Sequence, residues 1–111
     1  MTRETIAFIG GGHMASSLIA GLVSDGYDPT HLLVSEPEAD KRDQLASHYG
    51  VRVTADNALA QSEADVVLLC VKPQMAHAVC TGLGQALTTK VPLYISVMAG
   101  IREESIQAWL G

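Results

Sequence analysis

Thr5-Ile6-Ala7-Phe8-Ile9-Gly10-Gly11-Gly12-His13-Met14-Ala15 decides the fold. A short apolar run with no polar alternation, TIAFI, reads as a strand covered on both faces, as in a parallel sheet. Three glycines end it. Gly10, Gly12 and Ala15 then fit the pattern G-x-G-x-x-G/A. The small and apolar residues of Met14–Ser24 read as a helix, with Gly26 as its stop. Between a strand and a helix this pattern is specific, and each position has a physical task. Gly10 permits the tight turn. Gly12 lets a pyrophosphate approach the backbone, and Ala15 lets the helix pack closely on the sheet. The free N–H groups and the positive dipole end of the helix would face the phosphates. The bland alternative, a glycine-rich turn with no ligand, fits that context poorly. His13 either donates to a phosphate or faces solvent, and solvent is favoured because backbone groups dominate such sites. Met14 is expected to pack against the sheet.

Outward from the loop, strands and helices alternate. His31–Ser35 reads as a second strand, Glu38–Tyr49 as a helix ended by Gly50, and Val51–Val53 as a brief third strand. Asp56 is placed to cap a short helix over Asn57–Gln61. Asp65–Val71 is the strongest strand signal. Pro73 suits the first turn of a helix running to about Leu87, which Gly82 and Gly84 weaken. Leu93–Val97 is a fifth strand, and a last helix covers Glu103–Leu110. This alternation predicts βαβ units. The expected fold is α/β, a Rossmann-type doubly wound parallel sheet of about five strands with helices on both faces and the last strand missing.

The chain has 111 residues, one domain's worth over 1–111, with 48% hydrophobic and 17% charged residues and a formal net charge of −5. An acidic chain with 7 Lys+Arg has no broad electrostatic footprint for nucleic acid, and is ill suited to anionic membrane surfaces. No apolar run approaches the roughly 18 residues that span a bilayer, and no secretion signal opens the sequence. Cys70 and Cys80 sit in apolar segments and fit a reducing, cytoplasmic setting. They read as core thiols, since no base can be paired with either. The four histidines are scattered, so no metal site is expected.

Glu36 stands just after the second strand, about 20 positions beyond the loop, where an acidic residue binds the adenosine ribose of NAD. A carboxylate there would repel a 2′-phosphate, by about 4 kcal/mol for two unit charges 4 Å apart at an effective dielectric near 20. Ser35, Lys41 and Arg42 point the other way, since each could meet a phosphate. Glu36 as an exposed loop acid stays open. Asp65–Val71 should lie beside the first strand, so Val71-Lys72-Pro73-Gln74 edges the same crevice. The turn is expected to act through its backbone, with the Lys72 side chain structural or exposed. Ser96-Val97-Met98-Ala99-Gly100 should face the crevice too, its small residues leaving room for a flat ring.

The glycine loop, Val71-Lys72-Pro73-Gln74 and Ser96-Val97-Met98-Ala99-Gly100, in that order, resemble the N-terminal domain of pyrroline-5-carboxylate reductases over essentially the whole chain. The loop is shared widely; the V-K-P turn and the S-x-x-A-G strand end are more specific. The resemblance implies an oxidoreductase that reduces the imine of 1-pyrroline-5-carboxylate to L-proline with NADPH or NADH, in proline biosynthesis. It places Gly10, Gly11, Gly12, His13, Met14 and Ala15 on the pyrophosphate. Ser35 and Glu36 fall at the adenosine ribose or its phosphate, and Asn57 near the adenosine end. Val71, Lys72 and Pro73 line the nicotinamide ribose, and Ala99 and Gly100 the nicotinamide pocket. His13, Glu36 and Met98 depart from the family's usual Asn, small hydroxyl residue and Ala.

The resemblance also implies a further strand and a C-terminal helical domain, which build the substrate site and a homo-oligomer. None of that is in this chain, so it reads as the cofactor domain of a larger enzyme, inactive alone, with no catalytic side chain of its own. The cofactor carries the hydride chemistry and the protein fixes its orientation. Two other readings stay open. One is another oxidoreductase of the superfamily, β-hydroxyacid dehydrogenase-like or deazaflavin-dependent. The other is a stand-alone dinucleotide-binding or interaction module without catalysis.

Overall fold

A computed structural model describes residues 4–87, 91–97 and 103–110. Five strands form one sheet: β1 (Ile6–Ile9), β2 (Leu32–Ser35), β3 (Arg52–Thr54), β4 (Val66–Leu69) and β5 (Leu93–Ser96). Their order is β3-β2-β1-β4-β5 and every pairing is parallel. The helices are α1 (His13–Ser24), α2 (Ala39–Tyr49), α3 (Asn57–Glu63), α4 (Ala76–Ala86) and α5 (Glu103–Leu110). This is the expected doubly wound sheet, with the chain reversing its direction of travel between β3 and β4.

Period-two alternation along the central strands divides the core. Phe8 of β1 and Leu32 and Val34 of β2 pack with Ala15 and Ile19 of α1 and Leu45 of α2. Ala7, Ile9, Leu33, Val67 and Leu69 face the other way, onto Ala60, Ala76, Cys80, Leu83 and Ile106 from α3, α4 and α5. Both faces of β1 are therefore covered, which is why its sequence reads as an unbroken apolar run. Asp56 caps α3 as expected, its carboxylate accepting from the N–H groups of Ala58 and Leu59 at 3.0 and 3.2 Å.

Two sequence expectations need correcting. Pro73 does not open the long helix. It opens a separate 3-10 turn, Pro73–Met75, and α4 begins only at Ala76. Nor is α4 interrupted at its glycines. A Cβ on Gly84 would lie 2.3 Å from the Leu110 carbonyl oxygen, so the missing side chain lets the end of α5 seat against α4. Beneath this contact lies a polar relay absent from the sequence reading. Buried Gln61 of α3 donates from Nε2 to the Leu83 carbonyl at 3.0 Å and accepts from the Tyr94 hydroxyl. Three elements are thereby tied with no buried polar side-chain atom left unmatched among the described residues.

Candidate dinucleotide-binding site

Parallel register places the site. Ile9 of β1 pairs with both Ser35 of β2 and Leu69 of β4. The loops that follow these strands therefore emerge side by side at one sheet edge, where the strand order reverses, the place at which open α/β sheets bind ligands. Gly10 joins the three. Its N–H donates to the Ser35 carbonyl at 2.8 Å, its φ is +101°, and a Cβ there would stand 2.9 Å from the Cys70 carbonyl oxygen. Only glycine meets both the positive φ and that close approach.

Gly12 is the N-cap of α1. No side chain caps this end, and no acidic residue occupies the first turn. A Cβ on Gly12 would meet nothing within 4 Å. The fold thus presents uncapped N–H groups, the positive end of a twelve-residue helix and open space above it. These are the features an anionic pyrophosphate needs, and the residues present fit one. Ala15 is fully buried against the sheet. Met14 does not pack there. It is 52% exposed, because α1 turns Ala15 and Ile19 to the sheet and the helical period carries the residue before Ala15 off that face. His13 is exposed at the same end.

Glu36 is 6% exposed and is no loop acid in solvent. Its Oε1 accepts from the Gly11 N–H and its Oε2 from the Glu38 N–H, both at 2.9 Å. Arg42 donates from one guanidinium nitrogen to the carbonyls of Glu36 and Pro37 at 2.7 and 3.0 Å. Lys41 makes an exposed ion pair with Glu38 at 3.2 Å, a contact easily given up. Ser35 is buried and its hydroxyl donates to Oδ1 of Asn57, tying the end of β2 to the start of α3. Val71 is half-buried against the α3–α4 side of the core, whereas Lys72 and Pro73 are exposed. The Lys72 carbonyl accepts from the Met75 N–H at 2.8 Å, which closes the turn on itself. Met98, Ala99 and Gly100 lie outside the described residues.

Two open grooves flank the end of β2. One, of about 480 Å³, runs between α1 and α2 past Gly12, His13, Lys41, Gln44 and His48. The other, of about 630 Å³, lies between α3 and α4 beside Thr54, Asn57, Val79 and Gly82. Burial pushes the Cys70 thiol up to about 11 and raises that of Cys80, so neither is a ready nucleophile. Among the described residues no group of side chains is arranged to hold a metal ion.

The site is that of a nicotinamide-dependent oxidoreductase fold, and comparison with known proteins agrees. Residues 5–100 match the profile of the family described as NADP oxidoreductase, coenzyme F420-dependent, and the chain belongs to that family. It is 44% identical over all 111 residues to a pyrroline-5-carboxylate reductase of Pseudomonas aeruginosa, of which it covers 40%. With a pyrroline-5-carboxylate reductase of Haemophilus influenzae it shares 41% over 97% of its length and 39% of the relative's. Among solved structures, a pyrroline-5-carboxylate reductase from Coxiella burnetii superposes with a TM-score of 0.93 at 39% identity, over 99% of this chain and 41% of that one. A Plasmodium falciparum pyrroline carboxylate reductase with NADP bound shares the fold, with a TM-score of 0.82 at 21% identity. The chain thus spans about 40% of the length of the Pseudomonas relative.

Proposed function

We propose that residues 1–111 are the dinucleotide-binding domain of an enzyme that reduces 1-pyrroline-5-carboxylate to L-proline with NADPH or NADH. The observation that carries the binding half is the uncapped N-terminus of α1 above an unobstructed Gly12. The choice of reaction is supported by 44% identity over the whole chain to a pyrroline-5-carboxylate reductase. The same similarity favours this reaction over a deazaflavin-dependent one or a non-catalytic module.

In this reading the N–H groups from Gly12 to Ala15, with His13 and Met14 at the rim, hold the pyrophosphate. Ser35, Glu36 and Asn57 shape the adenosine end, and Val71, Lys72 and Pro73 the nicotinamide ribose. Ala99 and Gly100 complete the ring pocket. The bound nicotinamide supplies the hydride. This chain orients it and contributes no catalytic side chain; the substrate site and the homo-oligomer belong to the rest of the enzyme, which works in the cytoplasm. Nucleic acid and membrane play no part; no helix among the described residues is long and apolar enough to cross a bilayer.

Calorimetric titration with NADPH and NADH, beside an assay of 1-pyrroline-5-carboxylate-dependent loss of reduced-nicotinamide absorbance, tests both halves. Binding of either dinucleotide by the 111-residue chain without turnover is the expected result. Absence of binding would sink the site. Proline formation by this chain alone would sink the assignment of the substrate site elsewhere. A protein extended by the remaining length of its relatives that leaves the imine untouched would sink the reaction.

A further inference from the structure

We propose that Lys41 is the specificity-determining residue for a 2′-phosphate, so that NADPH gains a contact in the groove between α1 and α2 that NADH lacks. The inference rests on the reading of the glycine loop as a dinucleotide site and deepens it. The two grooves that flank the end of β2 differ in charge. The one between α1 and α2 starts at Gly11 and Gly12 and sets His13 and Ser16 of α1 against Lys41, Gln44 and His48 of α2. Steps of three and four residues put each set on one helix face. Among the described residues no carboxylate lines this groove. The groove between α3 and α4 has Asp56 in its wall, with Ala55, Ala78 and Val79. A carboxylate and apolar walls make it the poorer host for a dianion. In a chain of net charge −5, the α1–α2 groove is where an added phosphate meets hydrogen-bond donors and a cation together.

Glu36 stands at the mouth of this groove, since its Oε1 accepts from the Gly11 N–H. Its carboxylate keeps lone pairs for a ribose hydroxyl, and its charge opposes a phosphate carried on that ribose. A dinucleotide with a 2′-phosphate therefore needs a counter-charge close by. Two neighbouring cations divide the work. Arg42 donates to the carbonyls of Glu36 and Pro37 and so holds the turn ahead of α2 in place. Lys41 pairs with Glu38 at 3.2 Å, where both side chains are exposed and water competes for each. Its flexible stem carries a compact ammonium that binds phosphate as a point charge. A phosphate bearing about two negative charges displaces that single exposed carboxylate.

Calorimetric titration of wild type, Lys41→Ala and Lys41→Arg with NADPH and with NADH, at one fixed salt concentration, tests this. Lys41→Ala should weaken NADPH about tenfold, the size of one lost charge-assisted bond, and leave NADH within about twofold. Lys41→Arg keeps the charge and should keep most of the wild-type ratio. A ratio of the two affinities that Lys41→Ala leaves unchanged overturns the proposal, whether both dinucleotides weaken together or neither does. Wild-type protein that binds NADH and not NADPH overturns it too. Binding of neither dinucleotide defeats the reading of the glycine loop instead, and a second probe then judges the groove. Adenosine 2′-monophosphate, which has no pyrophosphate, should shift the ring-proton resonances of His13 and His48 in wild type and not in Lys41→Ala, while adenosine should shift them in neither. Resonances that adenosine 2′-monophosphate leaves in place, or moves equally in both proteins, overturn the assignment.

Discussion

Gly10→Ala and Gly12→Ala separate what the loop does for the fold from what it does for a ligand. At Gly10 alanine must adopt φ near +101°, and its Cβ must stand 2.9 Å from a backbone oxygen that cannot swing aside. The backbone strain costs roughly 1–3 kcal/mol. Relieving the contact against Cys70 adds about 1–3 kcal/mol, as overpacking does elsewhere. About 4 kcal/mol is the central expectation, and at roughly 4–5 °C per kcal/mol for a domain of this size the melting temperature falls on the order of 15–20 °C. At Gly12 the backbone is extended, with φ −80° and ψ −160°, and the added methyl meets nothing. A gain of about 0.4–1 kcal/mol from the less flexible unfolded chain is offset by the poorer N-cap preference of alanine. Stability should stay within about 1 kcal/mol of wild type, while the methyl occupies the approach of a pyrophosphate and dinucleotide affinity falls by about tenfold or more. Circular-dichroism melts and NADPH titrations of both variants measure this. A Gly12→Ala protein that melts as early as Gly10→Ala, or that binds NADPH as wild type does, would refute the reasoning.

Other features give separate expectations. Gln61→Leu strands the Leu83 carbonyl and the Tyr94 hydroxyl, so urea denaturation should show a loss of about 2–3 kcal/mol, and an unchanged midpoint would mean the relay contributes nothing. Gly84→Ala drives a methyl into the Leu110 carbonyl and should push α5 off α4, read as a red shift of Trp109 emission; unchanged emission counts against the close contact. The Cys70 thiol, raised by burial from 9.0 to about 11, binds its proton more tightly folded than unfolded. Its contribution to stability is complete below about pH 9 and is lost as pH rises toward 11. Stability that stays level across that window, or rapid labelling of Cys70 in mildly alkaline buffer, would contradict its burial.

Much of this fold was legible because its signals are local. The unbroken apolar runs of β1 and β4, the glycines at the first turn and Asp56 ahead of α3 each declare themselves within a few residues. Reading strand order needed only the placement of Asp65–Val71 beside the first strand. What escaped depends on pairs far apart in sequence. Gly11 and Glu36 are 25 residues apart, and no periodicity in either neighbourhood predicts that one carboxylate would hold the other's N–H. The third consecutive glycine was the available hint. Gly84 looked like a weak point in a helix because its reason lies at Leu110, in another element. Met14 reads as an apolar residue for the sheet, but the inward stripe of α1 is Ala15 and Ile19, and helical geometry carries the residue before Ala15 off that face.

The division of the core has a consequence for the order in which the chain acquires structure during synthesis. The buried residues between the sheet and α1 and α2 all come from the stretch ending at Val51. A nascent chain can therefore complete that half early. The opposite face of the same strands, bearing Ala7, Ile9 and Leu33, waits for residues from Ala60 to Ile106. Bringing Asp65 back to Thr5, 60 residues away, carries the larger loop-closure entropy. In that interval a half-dressed parallel sheet exposes a bare apolar face, the condition in which nascent domains stick to one another and in which chaperones are needed.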